Sequence, residues 1–286
     1  MTSTGARALG WRGRAALPVV GVVVAGVTLL AAASAPAVAA TAPLRLVALG
    51  DSVTAAHGCG CTGFPTRFGR DVTAATGIPV SVETHGIDGA TAADALAASR
   101  EPALRSALQS ADDVVITIGA NDVEPSAASV PDPARTAATE AWQAQVQAGV
   151  QDVSSSVDAL LTDLDASPRH PRVFVTGYWA VGLDGAVARA LCTPRQADAQ
   201  VRLTAEVNAA LAADAARHAA TYVDLGPVFH GDDGTVDPTP LLAADGDHPS
   251  ALGHAAIARA LVTRWIPPLQ HRRQGRTPPQ VQAGPA

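Results

Sequence analysis

The chain has 286 residues and a formal net charge of −6, and hydrophobic residues make up 48% of it while aromatic residues make up only 3%. That length suits one α/β domain with a full core built mostly from alanine, valine and leucine, and it requires no second domain. The acidic balance disfavours a nucleic-acid-binding protein, because phosphate backbones are bound by an excess of basic side chains.

The first segment of the chain has the pattern of an export signal. Three arginines precede an apolar stretch at 15–33, and the small residues of "APAVAATA" follow that stretch. This order predicts a secretory signal peptide at 1–39, cleaved after Ala39. The alternative is an uncleaved membrane anchor, since the apolar stretch approaches the length that spans a bilayer. Cleavage is favoured because no charged stop-transfer cluster follows, and we expect a secreted, extracellular protein without a stable membrane span.

Short β-branched segments then alternate with long alanine-rich segments. Strands are predicted at 44–50, 78–84, 113–119, 172–178 and 220–225. Helices are predicted at 64–76, 91–109, 135–166, 195–219 and near 250–265. This alternation predicts a parallel sheet of about five strands with helices on both faces, in a domain covering residues 40–266. The last segment, 267–286, is rich in proline, arginine and glutamine, which predicts a disordered tail.

Polar segments follow each predicted strand at its carboxyl end. In chain order they are "DSVT", "HGIDGAT", "GAND", "YWAVGLDG" and "DGDHPSALGH", the last of which opens the final helix. Binding sites in open parallel sheets gather at the carboxyl ends of the strands. These five loops are therefore expected to face one crevice.

Ser52 in "GDSVT" is a candidate nucleophile, although Gly-Asp-Ser is also an ordinary turn sequence and the serine could simply cap a helix. A serine nucleophile needs a base, and the base needs a group that orients it. Asp245 and His248, three residues apart, suit these two roles. The alternative for His248 is a surface pair with Asp247 at the start of a helix.

Acyl transfer also requires hydrogen-bond donors aimed at the developing oxyanion. Asn121 in "GAND" can offer its side-chain amide, and Gly89 in "IDGAT" can offer a backbone N–H just before a predicted helix. The backbone N–H of Ser52 is a third candidate. Taken singly, Gly89 fits an ordinary turn equally well, and Asn121 fits an Asx-turn.

Together these segments resemble the four sequence blocks of the SGNH hydrolase superfamily, also called the GDSL esterases and lipases. The blocks occur in the family's order between residues 50 and 254, with Gly-Asp-Ser-Val in place of the usual Gly-Asp-Ser-Leu. The resemblance implies a flavodoxin-like, three-layer α/β/α sandwich that hydrolyses carboxylic esters without a cofactor. No G-x-S-x-G segment occurs in the chain, which removes the main support for an α/β-hydrolase.

The resemblance also implies a role for each candidate residue. Ser52 would attack the acyl carbon, and His248 would act as base and then as acid. Asp245 would orient His248, in preference to Asp247. The oxyanion hole would consist of Ser52, Gly89 and Asn121.

Cysteines are odd in number, which in an exported chain predicts one disulfide and one free thiol among Cys59, Cys61 and Cys192. Cys59 and Cys61 could form a tight local ring, or either could bridge to Cys192 at the same end of the sheet, and the sequence leaves both pairings open. "HGCGC" also supplies an imidazole and two thiols. No metal is expected, because C-x-C is not the C-x2-C of structural zinc and no second ligand pair is visible.

The sequence therefore predicts a monomeric, secreted serine hydrolase, an esterase or lipase whose substrate is a small-molecule or lipid acyl ester. Tyr178 and Trp179 are candidates for lining the substrate site, with packing in the core as the alternative. The lack of a long apolar lid segment favours small or soluble esters. Deacetylation of an acetylated polysaccharide is the alternative within the superfamily. A non-catalytic surface-binding protein is disfavoured, because every catalytic residue type is present.

Overall fold

The computed structural model describes residues 42–123 and 136–265. Five strands in this part of the chain form one sheet: β1 (Leu44–Gly50), β2 (Val80–Gly86), β3 (Asp113–Thr117), β4 (Arg172–Thr176) and β5 (Thr221–Val223). The predicted signal peptide at 1–39 and the predicted tail at 267–286 lie outside the described residues.

The strands lie in the order β2-β1-β3-β4-β5, and every neighbouring pair is parallel. This is the order of flavodoxin-like sheets. The chain adds β2 on one side of β1 and then adds β3, β4 and β5 on the other side, so the order in which strands are added reverses between β1 and β3. The predicted fold class is confirmed. Because ligands bind at this reversal in such sheets, the loops after β1 and β3 flank the expected site.

Helices in the described part of the chain connect the strands. They are α1 (Ser52–Ala55), α2 (Phe64–Thr76), α3 (Ala92–Arg100), α4 (Pro102–Gln109), α5 (Thr136–Asp165), α6 (Gly185–Leu191), α7 (Pro194–Arg217), α8 (Gly226–His230) and α9 (Ala251–Trp265). A short 3-10 turn covers Thr239–Leu241. The sequence did not predict α1, α6 and α8, because segments of four to seven residues are too short to show a helical period.

The single helix predicted at 91–109 is wrong, because the structure breaks it into α3 and α4. Glu101 is extended at the break, with φ −64° and ψ 139°. Pro102 disfavours the helical conformation in the residue before it and has no N–H to continue the helix. It is instead the first residue of α4, where a missing N–H does no harm.

The core of the domain is the central sheet itself. Val114, Val115 and Ile116 of β3 are all completely buried. Successive side chains of a strand point to opposite faces, so this burial means that both faces of β3 are covered. On the described chain, α2 packs against α9 and α5 packs against α7, which supplies the helical layers.

A membrane-spanning helix would need both length and continuous apolar character. Within residues 42–123 and 136–265, none of the helices has the combination needed to cross a membrane.

Candidate active site

A small cavity lies where the loops after β1, β3 and β4 meet the loop before α9. Its lining includes Ser52, Asn121, Tyr178, Trp179, Asp247 and His248. These residues are far apart along the chain, and the structure brings them together at the carboxyl end of the sheet. The loop after β2, which was expected in the same crevice, contributes no residue to this lining. The cavity has a volume of about 20 Å³.

Ser52 is the first residue of α1, directly after β1. A side chain at Gly50 would place its Cβ 2.1 Å from the carbonyl oxygen of Thr117, so β1 can pass β3 here only with glycine. Asp51 caps α1 by accepting a hydrogen bond from the backbone N–H of Val53, at 2.9 Å. The tight strand end and the cap together fix the position of Ser52.

Asp51 is buried beneath the loop that carries Ser52. The hydroxyl of Tyr178 donates a hydrogen bond to its carboxylate, and both side chains are almost completely buried. Burial raises the pKa of Asp51 to about 6, and the hydrogen bonds from Tyr178 and Val53 oppose that rise. Tyr178, a predicted substrate-lining residue, therefore both lines the cavity and supports the loop that carries Ser52.

Asp51→Asn is expected to remove a pH-dependent cost of folding. The pKa of Asp51 is raised from 3.8 to about 6 on folding, so the contribution of this one group to stability is greatest below about pH 4 and is lost as pH rises through 6. That difference corresponds to about 3 kcal/mol. Urea unfolding between pH 4 and 7 should show the wild-type free energy of unfolding falling relative to that of the variant. A difference that is constant with pH would show that the Asp51 pKa is not raised.

His248 is oriented by Asp245. The Nδ1 atom of His248 lies 2.9 Å from Oδ2 of Asp245. The other oxygen of Asp245 accepts hydrogen bonds from the backbone N–H groups of Asp247 and His248, each at 3.0 Å. Burial acts to raise the pKa of Asp245, but these hydrogen bonds outweigh it and hold that pKa below its ordinary value. The carboxylate stays ionised and keeps the proton on Nδ1, which leaves Nε2 as the basic nitrogen.

Asp247 makes a weaker approach to the same histidine. Its Oδ2 atom lies 3.8 Å from Nδ1 of His248, beyond hydrogen-bonding distance. Burial raises the pKa of Asp247 despite the nearby imidazole. The geometry therefore favours Asp245 as the orienting acid, in agreement with the preference that the family resemblance implied.

The turn that carries this pair depends on Gly246. Its φ is +74°, and a side chain here would place its Cβ 2.3 Å from the Cβ of Val187. The turn is closed by a hydrogen bond from the backbone N–H of Ala243 to the carbonyl of His248, at 2.7 Å. Only glycine meets both the conformation and the space, and the resulting tight turn presents Asp245 to His248.

Asn121 and Gly89, two of the three predicted oxyanion donors, lie next to each other. The Nδ2 atom of Asn121 donates to the carbonyl of Ala90 at 2.9 Å, which leaves its second hydrogen for a ligand in the cavity. Gly89 has a φ of +73° in a turn closed by the bond from Ala90 N–H to the Ile87 carbonyl. The type II turn requires that conformation. Gly89 is joined to the site through Ala90 and is not among the residues that line the cavity.

Trp179 is both a core residue and a cavity residue. Its indole ring stacks on Phe229, with the ring centroids 4.1 Å apart and an interplanar angle of 13°. The side chain is 5% exposed and also lines the cavity beside Ser52. Trp179 thus packs in the core and also forms one wall of the cavity, while its contact with a substrate stays a prediction.

His57 and Asp88 form a second imidazole–carboxylate pair that the sequence did not reveal. Nδ1 of His57 lies 2.6 Å from Oδ2 of Asp88. The ring centroid of His57 lies 4.7 Å from that of His248. His57 was noticed only as part of "HGCGC", and nothing in the sequence indicated that Asp88, 31 residues away, would be its partner.

The structure joins Cys59 to Cys61, with their Cα atoms 5.1 Å apart, and leaves Cys192 unbridged. The sulfur atoms and a ring nitrogen of His254 lie within 4.8 Å of one another. His254 is buried, which lowers its pKa to about 4, and its Nδ1 accepts a hydrogen bond from the backbone N–H of Phe64. Nε2 therefore carries the proton, and the sulfurs are not thiolates. This arrangement offers no ligand set for a metal ion.

Comparisons with known proteins agree with this architecture. A model of the GDSL-like lipase/acylhydrolase family matches residues 48–256. Among solved structures, a lipase from a goat rumen metagenome is 18% identical, with a TM-score of 0.59 over 77% of this chain and 96% of that chain. An extracellular lipase from Streptomyces rimosus is 22% identical, with a TM-score of 0.55 over 77% and 99% of the two chains.

A catalytic mutant of an acetylxylan esterase from Geobacillus stearothermophilus is 19% identical, with a TM-score of 0.53 over 77% of this chain and 92% of that chain. At these identities the likeness to solved structures shows a shared fold. No match was found among curated proteins.

Proposed function

This chain belongs to the GDSL-like lipase/acylhydrolase family and is an ester hydrolase, and we propose that it cleaves carboxylic esters with short acyl groups through an acyl-enzyme on Ser52. The observation that carries the proposal is the shared cavity. Ser52, Asn121 and the Asp245-oriented His248 meet in it, so a nucleophile, an oxyanion donor and a base are within one small volume.

The proposed first half of the reaction forms the acyl-enzyme. The Oγ atom of Ser52 attacks the acyl carbon while Nε2 of His248 takes the hydroxyl proton. The oxyanion accepts hydrogen bonds from the backbone N–H groups of Ser52 and Gly89 and from the second Nδ2 hydrogen of Asn121. When the carbon–oxygen bond to the alcohol breaks, His248 gives its proton to the departing oxygen.

The second half returns the enzyme to its starting state. A water molecule attacks the acyl carbon of the Ser52 ester, and Nε2 of His248 takes a proton from that water. Collapse of the intermediate releases the carboxylic acid and restores the Ser52 hydroxyl with the proton from His248. Asp245 stays ionised throughout and stabilises the imidazolium of His248 in both halves.

The size of the cavity supports a short acyl group. Its volume of about 20 Å³ is slightly more than one water molecule needs, so the space beside Ser52 is small. The rigid stack of Trp179 on Phe229 opposes expansion on one side. An acetyl ester therefore fits best, which also makes deacetylation of an acetylated carbohydrate the second candidate function.

The test is a series of p-nitrophenyl esters from acetyl to palmitoyl, hydrolysed by the purified protein. We expect kcat/KM to be highest for acetyl and to fall by roughly tenfold or more on lengthening to octanoyl, because each excluded methylene weakens binding of the transition state. A kcat/KM that rises toward the long acyl chains would contradict the short-acyl proposal and support a lipase acting on lipid esters.

We also propose that the protein is secreted as a monomer, with the segment 1–39 removed on export. The sequence of that segment supports the proposal, and a Cys59–Cys61 bridge fits an oxidising compartment. Amino-terminal sequencing of protein from the culture medium should begin at Ala40. Recovery of the chain only from the membrane fraction, with its first 39 residues retained, would support the uncleaved anchor.

Reduction of the Cys59–Cys61 bridge is expected to lower stability modestly. The bridge closes a ring of only three residues, for which the chain-entropy model gives about 1–2 kcal/mol. Dithiothreitol should lower the melting temperature by a few degrees in the wild type and in Cys192→Ser, which keeps the bridge. The double variant Cys59→Ser/Cys61→Ser should melt at this lower temperature with or without dithiothreitol. An unchanged melting temperature after confirmed reduction would show that the bridge contributes nothing.

A further inference from the structure

His57 and Asp88 lie beside the catalytic histidine without a part in the chemistry described above. We propose that this pair is a binding subsite for the alcohol part of the substrate, selective for polyol or sugar esters that carry a hydroxyl next to the esterified oxygen. The inference depends on the proposed ester hydrolysis at Ser52 and adds the class of alcohol that the site prefers.

The tautomer of His57 makes it a hydrogen-bond acceptor. Its Nδ1 lies 2.6 Å from the Asp88 carboxylate, so the neutral ring carries its proton on Nδ1 and presents a lone pair on Nε2. No described side chain or backbone group is hydrogen-bonded to that Nε2. The side chains of His57 and Asp88 are 49% and 56% exposed, so a ligand can reach the pair. Nε2 is therefore open to a hydroxyl donor from a ligand.

The position of the pair matches the path of the leaving alcohol. His248 must reach the alcohol oxygen in order to protonate it, so the alcohol lies against the His248 ring. The next ring is that of His57, whose centroid is 4.7 Å away at an interplanar angle of 50°. A hydroxyl on the carbon adjacent to the esterified one is held close to the ester oxygen by the covalent structure. This hydroxyl can therefore donate a hydrogen bond to Nε2 of His57 while His248 donates its proton to the ester oxygen.

The backbone holds His57 in this place. The residue before it, Ala56, has a φ of 59°, a left-handed conformation that a non-glycine residue keeps only where its surroundings impose it. The backbone N–H of His57 donates to the carbonyl of Ser52 at 2.9 Å. A side chain at Gly58 would place its Cβ 3.0 Å from Oδ2 of Asp245, so the loop that carries His57 passes directly over the carboxylate that orients His248.

Asp88 lies in the turn that also carries Gly89, which is closed by the bond from Ala90 N–H to the Ile87 carbonyl. The bond between His57 and Asp88 thus links the nucleophile loop to the oxyanion turn. A role limited to that link would affect every ester alike. A role in binding the alcohol would affect only esters whose alcohol has a hydroxyl to donate, and this difference separates the two roles.

The test compares two acetate esters of equal carbon number, 2,3-dihydroxypropyl acetate and propyl acetate. The unaltered protein should favour the dihydroxypropyl ester in kcat/KM. His57→Phe keeps a ring against His248 but cannot accept a hydrogen bond, so it should reduce that preference by about tenfold. The loss should appear mainly as a higher KM for the dihydroxypropyl ester, with propyl acetate hydrolysed as before. Asp88→Asn can still accept from Nδ1 and should keep the preference, whereas Asp88→Ala should lose it.

His218→Phe is the control away from the site, because His218 pairs through both ring nitrogens with carboxylates, those of Asp165 and Asp158, and precedes β5 at the opposite end of the sheet. It should leave the preference unchanged. The inference is overturned if the unaltered protein shows no preference, or if His57→Phe slows both esters equally. Hydrolysis of neither ester by the unaltered protein would overturn the proposed function and the inference with it. Ser52-dependent hydrolysis of both esters with no preference would overturn the inference alone.

Discussion

Replacing Ser52 with alanine is expected to lower kcat for p-nitrophenyl acetate by about 10⁶-fold, the order of loss seen when a Ser-His-Asp protease lacks its nucleophile. In the proposed mechanism Ser52 supplies the atom that bonds to the acyl carbon, and the other hydroxyl in the lining of the cavity, that of Tyr178, already donates to Asp51. The measurement is the steady-state rate of p-nitrophenol release, with circular dichroism to establish that the variant is folded.

The matched control for Ser52→Ala is Ser106→Ala, since Ser106 is an exposed serine on α4. This variant should hydrolyse the ester at the wild-type rate. The role of Ser52 is contradicted if its folded alanine variant keeps more than a few per cent of the activity.

Asp245→Asn should lower kcat by about 10⁴-fold, because its amide oxygen would stay on the two backbone N–H groups and its NH2 would face Nδ1 of His248, which favours the wrong tautomer and cannot stabilise the imidazolium. Asp245 contacts that nitrogen at 2.9 Å and lies in a turn that fixes both of its oxygens. Asp247→Asn should have a much smaller effect, because its carboxylate stands 3.8 Å from the same nitrogen.

The two aspartate variants are each other's control, since they make the same chemical change two residues apart. Their kcat values on one ester, measured between pH 6 and 9, give the ranking directly. If Asp247→Asn proved the more damaging, the orienting acid would have been assigned to the wrong residue.

The sequence could predict the sheet because each strand is a short segment rich in apolar and β-branched residues; β3 is buried along its whole length, whereas the edge strand β2 is only partly buried. It could also predict the loops that meet, since the carboxyl ends of parallel strands share one edge. The break at Pro102 was missed although the residue was visible, because the alanine-rich sequence on either side continues the helical pattern. The error shows that a proline within a helical pattern deserves more weight than composition.

Contacts between side chains on different loops were beyond the reach of the sequence, although the Asp245–His248 pair, three residues apart, was not. The partner of Asp51 is Tyr178, 127 residues away, and the partner of His57 is Asp88, 31 residues away. Both pairs depend on how loops from different strands approach one another, and no local pattern encodes that approach. The pairing of Cys59 with Cys61 depends in the same way on the backbone between them, where Gly60 has a φ of +57°.

The central claim is that Ser52 becomes acylated, and covalent labelling tests it most directly. Diethyl p-nitrophenyl phosphate transfers its diethylphosphoryl group to an activated serine and releases p-nitrophenolate, which gives a stable analogue of the acyl-enzyme. Peptide mass spectrometry of the labelled protein should place one diethylphosphoryl group on Ser52, and His248→Ala should be labelled far more slowly. A label on another residue, or no label on a protein that hydrolyses esters, would contradict the account.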